Sequence, residues 1–114
     1  MRCQALNRIA FNRTILKKLK KLIACHVPGL HQVILFGSRA RGDADPDSDY
    51  DVAVVTERPV SPEERDLISE CAWKAGFEKG LVVVPLVFSL DEWERGLESH
   101  SLIVKAVKQE GIVI

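Results

Sequence analysis

Asp49 and Asp51 stand two residues apart in the string Asp49-Tyr50-Asp51, which follows the pair Gly37-Ser38 after ten intervening residues. Alternate residues of a strand project to the same face, so a strand here carries both carboxylates side by side. Like charges so placed repel, and a cation between them removes the repulsion. Hard divalent cations such as Mg²⁺ take oxygen ligands of this kind, one or two carboxylates together with the phosphates of a substrate. Gly37-Ser38 supplies the other half of such a site. The apolar run Val33-Ile34-Leu35-Phe36 reads as a short buried strand, Gly37-Ser38 as the turn that leaves it, and Arg39 onward as a helical turn that cannot outlast Gly42. Glycine at that exit lets backbone come close to a ligand, and the N–H groups of a helix start attract anions. Arg39 and Arg41 have two readings, phosphate binding or salt bridges to the following Asp-rich loop. Ser38 can donate its hydroxyl to a phosphate, cap the helix, or both.

Other acids and bases are read more plainly. Asp43, Asp45 and Asp47 fall in a loop where Asp ordinarily turns the chain and meets water. A calcium loop starting at Asp43 would need Gly at its sixth position and Glu at its twelfth, and the chain has Ser48 and Val54 there. Asp49 and Asp51 differ because they open an apolar strand, where an unpartnered carboxylate is costly. His26, His31 and His100 lack ligand spacing, and Trp73 and Trp93 are expected to pack inside.

The elements that must hold these residues are legible in outline. From about Asn7 to Cys25, Ile9, Ile15, Leu16, Leu19, Leu22 and Ile23 recur at helical spacing, with Lys17, Lys18, Lys20 and Lys21 on the polar side. That face is read as solvated rather than as a nucleic-acid patch, because the net charge is zero and one Tyr is present for stacking. Val27-Pro28-Gly29 ends the helix. A strand over about His31–Phe36 leads to the Gly-Ser turn, and Tyr50–Val55 forms a second buried strand. Ser61-Pro62-Glu63-Glu64 predicts a capped helix start, with the helix running to about Ala75 and ending at Gly76. Leu81–Phe88 predicts a strand in which Pro85 argues for a sheet edge or a bulge. Ser89-Leu90-Asp91-Glu92 opens one or two helices to about Gln109, and Gly111–Ile114 suits a short terminal strand. Strands alternating with helices give a single α/β domain over residues 1–114.

Composition narrows the class. The chain has 114 residues, 46% of them hydrophobic, enough for one core. Met1–Gly42 holds nine Lys or Arg and no acid, whereas Asp43–Glu70 holds ten acids against Arg58 and Arg65. Such asymmetry suits a site that gathers polyanionic phosphate and a cation, or a basic face that docks an acidic partner. Cys3, Cys25 and Cys71 form no C-x-x-C pair, which disfavours disulfides and zinc. No signal-type leader or run of roughly 18 apolar residues is present, and a cytoplasmic, non-membrane protein is expected.

The string Ile34-Leu35-Phe36-Gly37-Ser38-Arg39-Ala40-Arg41-Gly42-Asp43, with Asp49-Tyr50-Asp51 after it, resembles the minimal nucleotidyltransferases of the DNA polymerase β superfamily. The signature covers roughly residues 33 to 55, and a weaker likeness reaches the closing Lys-Gln-Glu-Gly-Ile-Val-Ile. The resemblance implies the nucleotidyltransferase fold, a small mixed β-sheet packed by helices. It implies that Gly37 and Ser38 hold a nucleoside triphosphate, ATP by preference, and that Asp49 and Asp51 bind Mg²⁺ as the catalytic pair. The implied reaction moves a nucleoside monophosphate to an acceptor hydroxyl and releases pyrophosphate. It further implies a small helical partner of the HEPN type in a toxin–antitoxin module, with this chain as the antitoxin. One departure stands out: active relatives carry a third carboxylate on the next core strand, where this chain has Val84-Pro85-Leu86-Val87, with Pro85 in the carboxylate's place. The alternative is therefore a weakly active or inactive binding module that keeps the fold.

Overall fold

A computed structural model describes residues 12–42, 48–95 and 98–114. The loop aspartates Asp43, Asp45 and Asp47, Cys3, and the helix start expected at Asn7 lie outside those residues.

Helix α1 spans Arg13–His26. Asn12 caps it, its side-chain oxygen accepting from the Ile15 N–H at 3.1 Å, and Ile15, Leu16, Leu19 and Ile23 form its buried stripe. Strand β1 is Leu30–Phe36, the one-turn helix α2 is Ser38–Arg41, and strand β2 is Tyr50–Thr56. Helix α3 spans Pro62–Phe77. Its expected capping box forms, with the Ser61 N–H donating to Glu64 Oε1 at 2.9 Å and the Glu64 N–H donating to Ser61 Oγ at 3.1 Å. Strand β3 is Val83–Ser89, helices α4 and α5 are Leu90–Arg95 and Glu98–Glu110, and strand β4 is Ile112–Val113. A second capping box starts α4, through Ser89 and Glu92.

Helix α3 runs past its expected stop. Gly76 is buried inside the helix, and its backbone meets the Leu81 carbonyl where a Cβ would sit. The chain turns instead at Gly80, with φ +66°. Glycine thus serves close approach at Gly76 and the turn at Gly80.

The sheet order is β3-β2-β1-β4, with β1 antiparallel to β2 and β4 and parallel pairing between β2 and β3. The fold is a mixed α/β sheet between two helical layers. On one face Val33, Leu35, Val52 and Val54 meet α1 and α3. On the other Ile34, Ala53, Val55 and Phe88 meet Trp93 of α4 and Val104 and Val107 of α5. With both faces covered, β2 reads as an apolar run rather than an alternating one.

Pro85 sits on the edge strand, as expected. The Tyr50 N–H donates to the Val82 carbonyl at 2.8 Å, and both backbone groups of a residue in a parallel strand point the same way. Val82, Val84 and Leu86 therefore turn their backbone toward β2. Pro85 turns outward, where its missing N–H costs no ladder bond.

Candidate functional site

The site forms where β1 ends and β2 begins. Because the two strands are antiparallel, Phe36 lies opposite Asp51, and Gly37 comes against the Asp51 carboxylate. Gly37 has φ +77° and ψ −159°, a region essentially closed to residues with a side chain. A Cβ there would stand 2.7 Å from Asp51 Oδ2. Both reasons require glycine, so the turn and the carboxylate form one unit.

Asp51 alternates with Ala53 and Val55 and so lies on the face shared with α4 and α5. Its carboxyl is pushed above the ordinary range by burial first and by the neighbouring Asp49 charge second, and Arg41 opposes both. Asp49, one step outside the strand, is exposed. The pair is thus an acid-rich corner with one half-buried member, and ionisation there is disfavoured until positive charge arrives.

The flanking residues take defined posts. Gly37 is the N-cap of α2, and its carbonyl accepts from the Ala40 and Arg41 N–H groups at 3.1 and 3.0 Å. Ser38 is consequently the first helical residue and not the cap. Gly42 ends the turn in the left-handed conformation. Arg39 donates from Nε and Nη2 to the Ser48 carbonyl at 3.2 and 2.9 Å, and its guanidinium lies 4.5 Å from the Tyr50 ring centre. It fastens α2 to the start of β2. Arg41 donates to Glu110 Oε1 at 3.0 Å, which ties the same turn to the end of α5, and its charge reaches Asp51. Neither the Ser48 carbonyl nor Glu110 carries a sequence signal, since both contacts depend on how distant segments meet.

The register of β3 corrects one reading. Asp51 pairs with Val84, and Val52 pairs with Pro85. Val84 and Leu86 share the face of Asp51, whereas Pro85 shares the face of Val52 and looks toward α3. The strand position beside Asp51 therefore belongs to Val84. The absence of a carboxylate on β3 itself stands, since Val83–Ser89 contains none.

Asp49 and Asp51 suit a hard divalent cation in their donor chemistry, with the Asp49 charge near enough to act on the Asp51 carboxyl and a cradle that Gly37 keeps open. Among the described residues no group of three or more metal-type side chains gathers, so phosphate oxygens of a substrate would have to complete the shell. Of the remaining candidates, Cys25 and Cys71 are free thiols, and burial pushes the Cys71 thiol up, away from reactivity. Lys17, Lys18 and Lys21 are exposed, whereas Lys20 is half-buried and donates to the Ile114 carbonyl at 2.8 Å. Trp93 packs inside, 5.5 Å from Phe88. Trp73 does not: it is 60% exposed, because α3 buries Ile68, Cys71, Ala72 and Ala75 instead. No helix among the described residues is long and apolar enough to cross a membrane.

Residues 13–113 match the model of the nucleotidyltransferase domain family. A protein of Methanocaldococcus jannaschii, named as a candidate protein adenylyltransferase, is 33% identical over 75 residues, which is 65% of this chain and 76% of that one. Several solved structures share the fold. A chain of a toxin–antitoxin structure with AMP-PNP superposes with TM-score 0.62 at 24% identity, covering 85% of this chain and 69% of that chain. A chain of the Shewanella oneidensis complex of a tri-AMPylated HEPN toxin with its MNT antitoxin gives 0.56 at 22%, covering 89% and 69%. A Sulfolobus solfataricus protein named as a candidate nucleotidyltransferase gives 0.58 at 22%, covering 88% and 76%. With its Gly37–Asp51 corner inside a family match that runs almost end to end, the chain belongs to the nucleotidyltransferase domain family.

Proposed function

We propose that this protein is a Mg²⁺-dependent nucleotidyltransferase that moves AMP from ATP to a hydroxyl of a small helical HEPN-type partner, as the antitoxin of a toxin–antitoxin pair. The observation that carries this reading is the close approach of the Asp51 carboxylate to Gly37, where a Cβ has no room, with the Asp49 charge acting on that carboxylate. Support for the nucleotide comes from the relative named as a candidate protein adenylyltransferase and from the neighbour solved with AMP-PNP. Support for the acceptor comes from the neighbour whose HEPN toxin is AMPylated.

In the reaction the acceptor hydroxyl oxygen bonds to the α-phosphorus and gives up its proton to solvent, the bond from that phosphorus to the β-bridging oxygen breaks, and pyrophosphate leaves with that electron pair. Asp49 and Asp51 would hold Mg²⁺, which supplies charge neutralisation at the phosphates when bound. Gly37 keeps the backbone bare so that the phosphates can approach it. Arg39 holds α2 against β2 and so fixes the distance from the turn to the carboxylates. Arg41 sets positive charge near Asp51 while anchored on Glu110.

A second reading rests on β3, where Val84 occupies the place beside Asp51. On that reading the protein binds nucleotide and masks its partner without turnover. Incubation with α-labelled ATP, Mg²⁺ and the candidate partner separates the two. Label on the partner that disappears with Asp49→Ala and Asp51→Ala supports transfer. Nucleotide binding by calorimetry without any label supports the second reading, and neither binding nor label rejects both.

A further inference from the structure

Tyr50 stands between Asp49 and Asp51 in the chain, and strand alternation sends its side chain away from Asp51, into the layer shared with α1 and α3. It is buried there and is the only tyrosine of the sequence. Filling that space asks for no more than an apolar side chain. Tyr adds two things that Leu lacks, a hydroxyl and a ring face that attracts a cation. The hydroxyl accepts from the Asn12 N–H at 2.9 Å, which ties the first residue of β2 to the cap of α1. The Arg39 guanidinium sits 4.5 Å from the ring centre. The same guanidinium donates twice to the Ser48 carbonyl, at 2.9 and 3.2 Å.

These contacts close around Asp49. Asp51 is placed by the sheet itself, opposite Phe36 on one side and Val84 on the other. Asp49 precedes the strand and is exposed. Its two neighbours are held instead: Ser48 by Arg39, and Tyr50 by the Val82 carbonyl, the Asn12 N–H and the Arg39 contact. A residue strung between two anchored neighbours, which Arg39 also joins to each other, has little freedom to drift. That matters for a hard cation such as Mg²⁺, which demands oxygens at about 2.0–2.1 Å in near-ideal geometry.

We propose that Tyr50 is a positioning residue: its ring seats Arg39, its hydroxyl is fixed by Asn12, and the resulting clamp holds Asp49 beside Asp51 where a shared divalent cation needs it. The cation belongs to the function proposed above, whereas the clamp on Ser48 and Tyr50 stands without it. Mn²⁺ binding in the presence of ATP, read by electron paramagnetic resonance well below each melting temperature, tests the role. Tyr50→Leu is expected to weaken Mn²⁺ binding about tenfold or more, as loss of a group that orients a metal ligand does. Tyr50→Phe keeps the ring beside Arg39 and should stay within about threefold of the native affinity. Arg39→Gln should match Tyr50→Leu, and the double variant should be no weaker than either single one, because the two side chains act as a unit. Leu19→Ala lowers stability from the same apolar layer and should leave Mn²⁺ affinity unchanged. Native affinity in Tyr50→Leu, an equal loss in Leu19→Ala, or losses that multiply in the double variant would each overturn the proposal. A native chain that binds no Mn²⁺ with ATP would reject the function above, and the clamp is then read from amide exchange. In Arg39→Gln the Tyr50 N–H, bonded to the Val82 carbonyl, should exchange at least about tenfold faster relative to amides in the middle of β2. Unchanged exchange overturns the clamp, and the same measurement decides the matter should Tyr50→Leu fail to fold.

Discussion

At the scale of single residues, Gly37 and Asp51 can be tested apart. Gly37→Ala forces a side chain into a left-handed conformation and against Asp51 Oδ2. Thermal denaturation should show a loss of about 1–3 kcal/mol, and calorimetry should show loss of ATP·Mg²⁺ binding beyond that explained by unfolding. Asp51 predicts a pH dependence of stability in metal-free buffer. Its carboxyl is raised by burial and by Asp49, so the native state favours the proton more than the unfolded chain does. The stability this contributes is complete below the unfolded value, about pH 3.9, and is lost as pH rises through the raised native value. Asp51→Asn keeps a neutral side chain throughout, so its Tm advantage over the native protein should grow from about pH 4 upward and level off above the native value. A melting series across pH with EDTA checks this, and an advantage that shrinks as pH rises would contradict the sign. The sequence made this pair visible because Gly-Ser and Asp-x-Asp are local patterns. It hid the partners of Arg39 and Arg41, which arrive from residues 9 and 69 positions away.

Among the elements, the strands and helix starts are readable because their causes are local. Ser61 with Glu64 announces α3 through a capping box, and the apolar run after Asp49 announces β2. The stop of α3 is not readable in the same way, since Gly76 serves packing against Leu81 rather than termination. Strand register is hidden for a related reason. A run of Val, Pro, Leu and Val carries no alternation to say which residue faces Asp51, and a slip of one residue exchanges the faces. The pairing of Asp51 with Val84 makes the difference measurable. Val84→Asp should tighten Mg²⁺ binding, read by calorimetry in the presence of ATP, by about tenfold or more. Pro85→Asp should leave it within about twofold, because that side chain lies on the α3 face. If Pro85→Asp tightened binding and Val84→Asp did not, the pairing of Asp51 with Val84 would be wrong by one residue.

For the whole molecule, the sheet separates two apolar layers, and the candidate site lies at its end rather than within either. Leu19, fully buried against the α1–α3 layer, therefore contributes to stability without touching the nucleotide corner. Leu19→Ala should cost about 2–5 kcal/mol. Well below its melting temperature, the variant should nevertheless bind ATP·Mg²⁺ with the native Kd, because Gly37, Asp49 and Asp51 are fixed by β1, β2 and α2. Ligand present at about a hundredfold over Kd adds about 2.7 kcal/mol to any form that folds. For a chain of this length that is roughly a 10 °C rise in Tm. Native and Leu19→Ala proteins should thus show the same increment from different baselines. Calorimetric scans with and without ATP·Mg²⁺ decide the matter. A variant that melts lower but gains far less from ligand would show that the helical layer shapes the site, and the corner would no longer be an independent unit of the sheet's end.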